Sequence, residues 1–275
     1  MTIMDEYKNF DIPSKKIIVA DLDGTLAESK SDMDKEMSDI IVKLLEYKAF
    51  AVISGGAYSQ FQKQFVKNLS CPENLISRLY LFPTCATTFY MYKKGVWERV
   101  YSEDLSSDEK RRAFNAFEVA FKKANFKKPE VLYGELIEDR GTQVTFSAFG
   151  QAAPLELKKG WDPDGSKRSV IAKYMSELIP DLEIRIGGTT SIDVTKKGID
   201  KAYGIKKIGE HLNYKTSDML FVGDALFKGG NDYPVKEAGV DCISVTGPSE
   251  TKRLFAEIIR ISSVGNRSHT RSLLE

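Results

Sequence analysis

Asp21 and Asp23 stand one residue apart at the end of the apolar run 17–20, and Gly24 follows them. An apolar run stopped by acids and a glycine predicts a strand buried on both faces of a parallel sheet, its carboxyl end open to a ligand. Two carboxylates so close repel unless a cation neutralises them, and hard oxygen donors favour Mg²⁺. Two more apolar runs stop in the same way: 50–53 in Ser54-Gly55-Gly56, and 219–222 in Gly223-Asp224. Lys201 opens a predicted helix between them. A parallel sheet gathers such strand ends although they are distant in sequence. The set suits phosphoryl transfer, where catalysis is mostly positioning and charge neutralisation. Asp21 is the candidate nucleophile and Asp23 the acid that protonates the leaving oxygen, then deprotonates the incoming water. Ser54 and Lys201 would hold the phosphoryl oxygens, with Gly55 beside them in a flexible turn. Asp224 would hold the metal with Asp21 and Asp23, and Asn231 or Asp232 would complete or orient that shell.

The elements that must position these residues alternate as β-α-β. A helix over 35–45 places Met37, Ile40, Ile41, Leu44 and Leu45 on one face, with Asp34 or Ser31 as its cap. A helix over 58–66 and a strand over 79–82 continue the rhythm. The pattern then changes to a hairpin, 87–92 and 96–101, a helix over 108–124, and an alternating strand over 143–148. A turn at 161–165, a helix over 166–178 and a short strand over 183–186 follow. The core rhythm resumes with a helix over 201–212, strands over 218–222 and 242–245, and a closing helix over 249–261. Residues 262–275 are polar and expected to fray. The expectation is an α/β chain: a doubly wound, Rossmann-like parallel-sheet core, 1–86 and 189–275, interrupted by an α+β cap at 87–188.

The 275 residues are 42% hydrophobic and 29% charged, with a net charge of +1. That is a globular composition, without a run of about 18 apolar residues that could span a membrane. Residues 1–14 carry Asp5, Glu6, Lys8 and Asp11 and do not resemble a signal peptide. Cys71, Cys85 and Cys242 lack zinc spacing or a disulfide framework and read as free thiols of a reducing compartment. The near-neutral balance argues against a dedicated nucleic-acid binder, and the run Lys122, Lys123, Lys127, Lys128, a local basic patch, reads more readily as a solvated helix end. The expected protein is cytoplasmic, with a small phosphorylated molecule, and neither nucleic acid nor membrane, as its partner. The apolar hairpin 89–101 is the candidate surface for a homodimer.

The strings DLDGTL, AVISGG, GIDKAYG and FVGDALFKGGNDYP, spread over 21–234, resemble the four ordered motifs of the haloacid dehalogenase (HAD) superfamily of phosphotransferases. A cap between the second and third motifs matches the type IIB subfamily. An acid two residues after the nucleophile is the pattern of its phosphatases and mutases. Within that subfamily, Ile137-Glu138-Asp139-Arg140-Gly141, Phe149-Gly150, the stretch from Gly187-Gly188 through Ser191 and Asp193, and Gly229-Gly230-Asn231-Asp232 resemble eukaryotic-type phosphomannomutase. The resemblance implies that Arg140 grips the distal phosphate of a sugar substrate and that Ser191 and Asp193 contact the sugar. It also implies that cap loops reach over the core strand ends on closure.

Departures accompany the resemblance. Gln151, Lys158 and Lys30 stand where the mutase pattern has arginines, and the segment 236–239 offers no clear match to a further metal-loop acid. A mutase must retain a sugar bisphosphate, and bidentate arginine holds phosphate better than lysine or neutral glutamine. These changes favour a Mg²⁺-dependent phosphatase acting on a sugar phosphate. The alternative is a phosphomannomutase-like hexose phosphate mutase. A non-catalytic or nucleic-acid binding module is the least supported class, because every catalytic position is filled.

Overall fold

A computed structural model describes residues 10–29 and 31–272, with side chains through 264. The expectations about residues 1–9 and Lys30 lie outside the described residues. The chain divides into two compact units, split at Tyr101/Ser102 and Ile199/Asp200.

The strands in chain order are β1 (Ile17–Asp21), β2 (Ala49–Ile53), β3 (Leu79–Phe82), β4 (Thr88–Lys93), β5 (Val96–Ser102), β6 (Ile137–Asp139), β7 (Val144–Ser147), β8 (Leu182–Gly187), β9 (Ser191–Lys196), β10 (Met219–Gly223) and β11 (Asp241–Ser244). The first unit is built on a seven-stranded sheet ordered β11-β10-β1-β2-β3-β4-β5. Its first five strands are parallel. The unbroken apolar character of β1 follows from helices on both faces. Ile18 and Ala20 pack with the helix Lys35–Leu45 and the helix Pro248–Ser272, while Ile17 and Val19 pack with the helix Lys201–Leu212. Asp34 caps the first of these helices by accepting from the Met37 N–H at 2.9 Å. The closing helix runs through the segment expected to fray, as far as Ser272.

Two expected boundaries move. The sequence pattern places the hairpin β4–β5 in the cap, yet β4 pairs antiparallel with β3, Tyr80 opposite Met91 and Leu81 opposite Tyr90. Phe89 stacks on Phe82 with ring centroids 4.4 Å apart and is buried. The hairpin therefore extends the core sheet. Phe89 is unavailable as a dimer surface, and the exposed apolar side chains of this hairpin are Val96 and Val100. At the other end, the boundary 188/189 would cut through a hairpin. β8 and β9 pair antiparallel from Leu182↔Lys196 to Gly187↔Ser191, so Ser191 and Asp193 belong to the second unit.

That second unit has a four-stranded sheet, β6-β7-β9-β8, antiparallel throughout. The helices Ser107–Lys123 and Ser166–Leu178 cover one face. Phe117, Phe121, Ile171 and Met175 meet Val144, Phe146, Ile192 and Val194 there. Alternation sends Thr145, Ser147, Ser191 and Asp193 to the opposite face. The first helix carries a full capping box, Ser106 with Glu109.

Candidate active site

β1 ends in Asp21, opposite Ile53 of β2, so Ser54 follows directly alongside. On its other side β10 runs into Asp224. Lys201 comes from the first turn of a helix capped by Asp200, which accepts from the Tyr203 N–H at 2.9 Å. That helix lies close against β2 because Gly204 has no side chain: a Cβ there would stand 2.2 Å from Ile53 Cδ1. The close approach delivers Lys201 Nζ to 2.8 Å from Asp21 Oδ1 and onto Asp232 Oδ1. Lys201 is 1% exposed and Asp232 0%. Asp232 Oδ2 accepts from the Ala225 N–H at 3.0 Å, so its two oxygens fix both Lys201 and the loop after β10.

Asp21, Asp224 and Asp232 each place one carboxylate oxygen within 4.8 Å of the others. Gly24 makes this possible: its φ is +79°, and a Cβ would stand 2.5 Å from Asp224 Oδ2. Thr25 donates its hydroxyl to Asp224 Oδ1 at 3.4 Å. Burial pushes the Asp21 carboxyl up to about 8; Lys201 opposes the rise, and Asp232 and Asp224 add to it. Burial and Asp232 raise Asp224 as well. Burial by itself would depress Lys201, but the two aspartates outweigh it and hold the ammonium charged. Three carboxylates facing one ammonium leave negative charge for a cation to neutralise, and all the donors are hard oxygens.

Asp23 lies outside this cluster of three, and Gln60 Nε2 donates to its Oδ2 at 3.0 Å. Asn231 is exposed and joins no described hydrogen bond of the cluster. Of the five expected metal residues, Asp21, Asp224 and Asp232 thus bring side-chain carboxylates together, while the Asp23 side chain meets the helix Tyr58–Gln64. Ser54 is buried, and its Oγ accepts from the Gly56 N–H at 3.3 Å, which leaves the hydroxyl proton to donate elsewhere. Gly55 sits half-buried in the same turn.

Gln60 and a clamp on the Ser54 turn escaped the sequence reading. Thr84, Cys85 and Ala86 take φ of 51°, 53° and 65°, a left-handed turn without glycine. From it the Cys85 N–H donates to the Ser54 carbonyl and the Thr84 N–H to the Gly56 carbonyl, each at 2.9 Å. Such residues avoid this conformation, so nothing in the local sequence announces the turn. Gln60 carries no pattern either; only the pairing of its helix with the strand ends brings it to Asp23.

In the second unit Arg140 occupies the turn between β6 and β7. Its side chain is 4% exposed and its Nε donates to Glu138 Oε2 at 2.8 Å. Ser191 Oγ lies 3.2 Å from Ser147 Oγ. Asp193 Oδ1 accepts from Thr145 Oγ1 at 2.7 Å and from Gln143 Nε2 at 3.3 Å. Gln151 donates to Ser147 Oγ at 3.4 Å, and Lys158 Nζ donates to the Gln151 carbonyl at 2.8 Å. Ser191 and Asp193 thus share one polar sheet face, held by hydroxyls and an amide, and Arg140 is held at its edge by the Glu138 carboxylate.

The profile of the family "Eukaryotic phosphomannomutase" matches residues 37–261. The chain is 27% identical over 258 residues to the phosphomannomutase of Encephalitozoon cuniculi, covering 91% of this chain and 96% of that one. It is 28% identical over 258 residues to the phosphomannomutase of Schizosaccharomyces pombe, covering 91% and 95%. Among solved structures it is similar in fold to a haloacid dehalogenase-like hydrolase from Bacteroides thetaiotaomicron. That match has a TM-score of 0.57 at 13% identity and covers 89% and 99% of the two chains. It is similar as well to the IMP-nucleotidase of Plasmodium falciparum, with a TM-score of 0.68 at 16% identity, covering 90% of this chain and 63% of that one.

Proposed function

Because the chain belongs to the eukaryotic phosphomannomutase family, we propose that it moves the phosphoryl group of a hexose phosphate between the 1- and 6-positions through an aspartyl-phosphate on Asp21. The observation that carries this reading is the buried contact of Asp21 with Lys201 at the end of β1, beside Asp224 and Asp232. The Asp21 carboxylate attacks phosphorus in line, and the sugar oxygen leaves with a proton from Asp23. The same Asp23 then takes the proton of the hydroxyl that attacks the aspartyl-phosphate. Lys201 and the Ser54 hydroxyl, with Gly55, stabilise the transferring oxygens. The donor set fits Mg²⁺, with Asp21 and Asp224 as its holders and Asp232 as their support; when bound, the ion neutralises phosphoryl charge. Arg140, Ser191 and Asp193 are assigned to recognition of the sugar and its second phosphate. A cytoplasmic site of action completes the reading, and no described helix is long and apolar enough to cross a membrane.

Relatives named as mutases shift the weight from hydrolysis, which the sequence departures favoured, to transfer between sugar positions. One observation keeps hydrolysis as the second reading. Gln151 is neutral, and the ammonium of Lys158 is spent on the Gln151 carbonyl rather than offered as a replacement charge. A weaker hold on a bisphosphate lets water compete for the aspartyl-phosphate.

Conversion of a hexose 1-phosphate to its 6-phosphate, with a sugar bisphosphate supplied, should outpace phosphate release in the same mixture. Release outpacing conversion would select the hydrolytic reading. Asp21→Asn should lower both by at least about a thousandfold while the protein stays folded, because only the attacking charge is removed. Comparable turnover in that variant would overturn the nucleophile.

A further inference from the structure

The turn that leads into Ser191 is held from outside its own hairpin by Arg168. This arginine, 6% exposed, projects from the helix Ser166–Leu178. Its Nη1 donates to the Gly188 carbonyl at 2.6 Å and to the Gly187 carbonyl at 3.3 Å. Its Nε donates to Asp162 Oδ2 at 2.7 Å and its Nη2 to the Asp162 carbonyl at 3.2 Å. Asp162 is itself fixed, accepting from the N–H groups of Lys167 at 2.9 Å and Arg168 at 3.1 Å. The guanidinium is therefore a rigid fork between a capped helix start and the β8–β9 turn. A second bond holds the turn from the other side, from the Ala148 N–H to the Thr190 carbonyl at 3.2 Å. The next residues in the chain are Ser191 and, two on, Asp193.

We propose that Arg168 is a positioning residue for substrate selection: by clamping the Gly187–Gly188 carbonyls it sets where Ser191 and Asp193 stand on the polar face. The proposal rests on the hexose phosphate reading, in which those two side chains meet the sugar. The physical reason is that the polar ends of a hairpin turn are otherwise free to shift by one rotamer or one peptide flip. A misplacement of about 1 Å in a binding group is enough to cost a large factor. Arginine suits the task because its planar fork serves two carbonyls and a carboxylate at once, which an ammonium does not. No charge of Arg168 reaches the substrate in this role, so the loss should fall on binding of the sugar and spare chemistry at Asp21.

The test compares wild type with Arg168→Lys and Arg168→Met on a hexose phosphate and on an aryl phosphate that lacks a sugar. Arg168→Met should raise KM for the hexose phosphate by about tenfold with kcat changed much less, and leave kcat/KM for the aryl phosphate within about twofold. Arg168→Lys, which keeps one donor for Gly188, should fall between the two. Amide exchange should quicken in segment 187–193 and not at β1 or β10. If KM for the hexose phosphate does not move while wild type turns that substrate over, the positioning role is wrong and the functional reading stands. If both substrates lose activity equally, or lysine restores nothing, Arg168 is a general structural brace and the proposal is overturned. If wild type acts on the aryl phosphate but on no hexose phosphate, the functional reading fails and the proposal with it.

Discussion

The two units solve opposite problems with buried polar groups. At the end of β1 the groups are ionisable and crowded, three carboxyls against one ammonium. On the polar sheet face of the second unit neutral groups do most of the bonding: Thr145, Ser147, Ser191 and Gln143 bond among themselves and to Asp193, and Arg140 is matched by Glu138. A site that must meet a moving phosphoryl group keeps uncompensated charge in a desolvated place, where electrostatic interactions are strong. A site that must tell one hydroxyl pattern from another needs fixed donors and acceptors with little net field. In the proposed function, the difference separates a region that performs chemistry from one that selects what arrives.

Four substitutions sharpen or break this contrast. Lys201→Met should have the largest effect. It leaves Asp21 and Asp232 buried without their cation, at a cost of about 3–5 kcal/mol in denaturant unfolding, and turnover should vanish. A loss under about 1 kcal/mol would mean that the cluster is not charged as described. Arg140→Ala comes next: removal of a charge-assisted contact of about 1.5–3 kcal/mol should lower kcat/KM tenfold to more than a hundredfold on a hexose phosphate. An aryl phosphate should be nearly indifferent to it. Equal small losses on both substrates would reduce Arg140 to the partner of Glu138.

The third prediction concerns acid. Asp162 is buried, which opposes ionisation, but the bond from Arg168 and the N–H groups of Lys167 and Arg168 hold its carboxyl below the ordinary 3.8. A depressed carboxylate contributes stability that is complete above its unfolded pKa and fades as pH falls through the folded one. The stability gap between wild type and Asp162→Asn should therefore be full near neutrality and shrink from about pH 4 downward. A gap that stays constant through acid, followed by thermal unfolding, would contradict the ionised pair. The smallest effect is expected at the clamp beside Ser54. Cys85→Gly should raise stability by about 0.5–1 kcal/mol, because a left-handed φ costs a non-glycine residue about 1–2 kcal/mol, part of which glycine returns as chain entropy. Destabilisation instead would show that the Cys85 side chain contributes more than its backbone strain costs.

The same contrast explains what could be read from the sequence. Central parallel strands are apolar throughout, and their functional residues stand at abrupt stops, so Asp21, Ser54 and Asp224 were visible as strand ends. Lys201 was visible as a helix start. The polar face of the second unit alternates with its core, and alternation alone does not say which sheet a hairpin joins. From sequence β4–β5 therefore reads as part of the cap, and with no strand expected at 191–196 the boundary 188/189 leaves Ser191 and Asp193 with the core. That Asp232 is the acid whose side-chain oxygen lies beside those of Asp21 and Asp224 is a matter of backbone direction, which the motif does not spell out. Gln60, the 84–86 turn and Arg168 left no local trace, because their roles exist only across elements.

The insertion of the second unit between Tyr101 and Asp200 has a consequence for synthesis. β1 leaves the ribosome early, but one of its two neighbours, β10, lies far down the chain, with Ile17 paired to Met219. Until that partner emerges, an edge of this fully buried strand is open to any other strand it meets. The second unit is continuous in sequence and its contacts close within a single stretch, so it can complete its fold while the first still waits. Asp21 is then the earliest active-site residue to be made, while Lys201 and Asp232, its buried neighbours, are among the last. A nascent or truncated chain that ends before β10 carries the proposed nucleophile without the environment that tunes it.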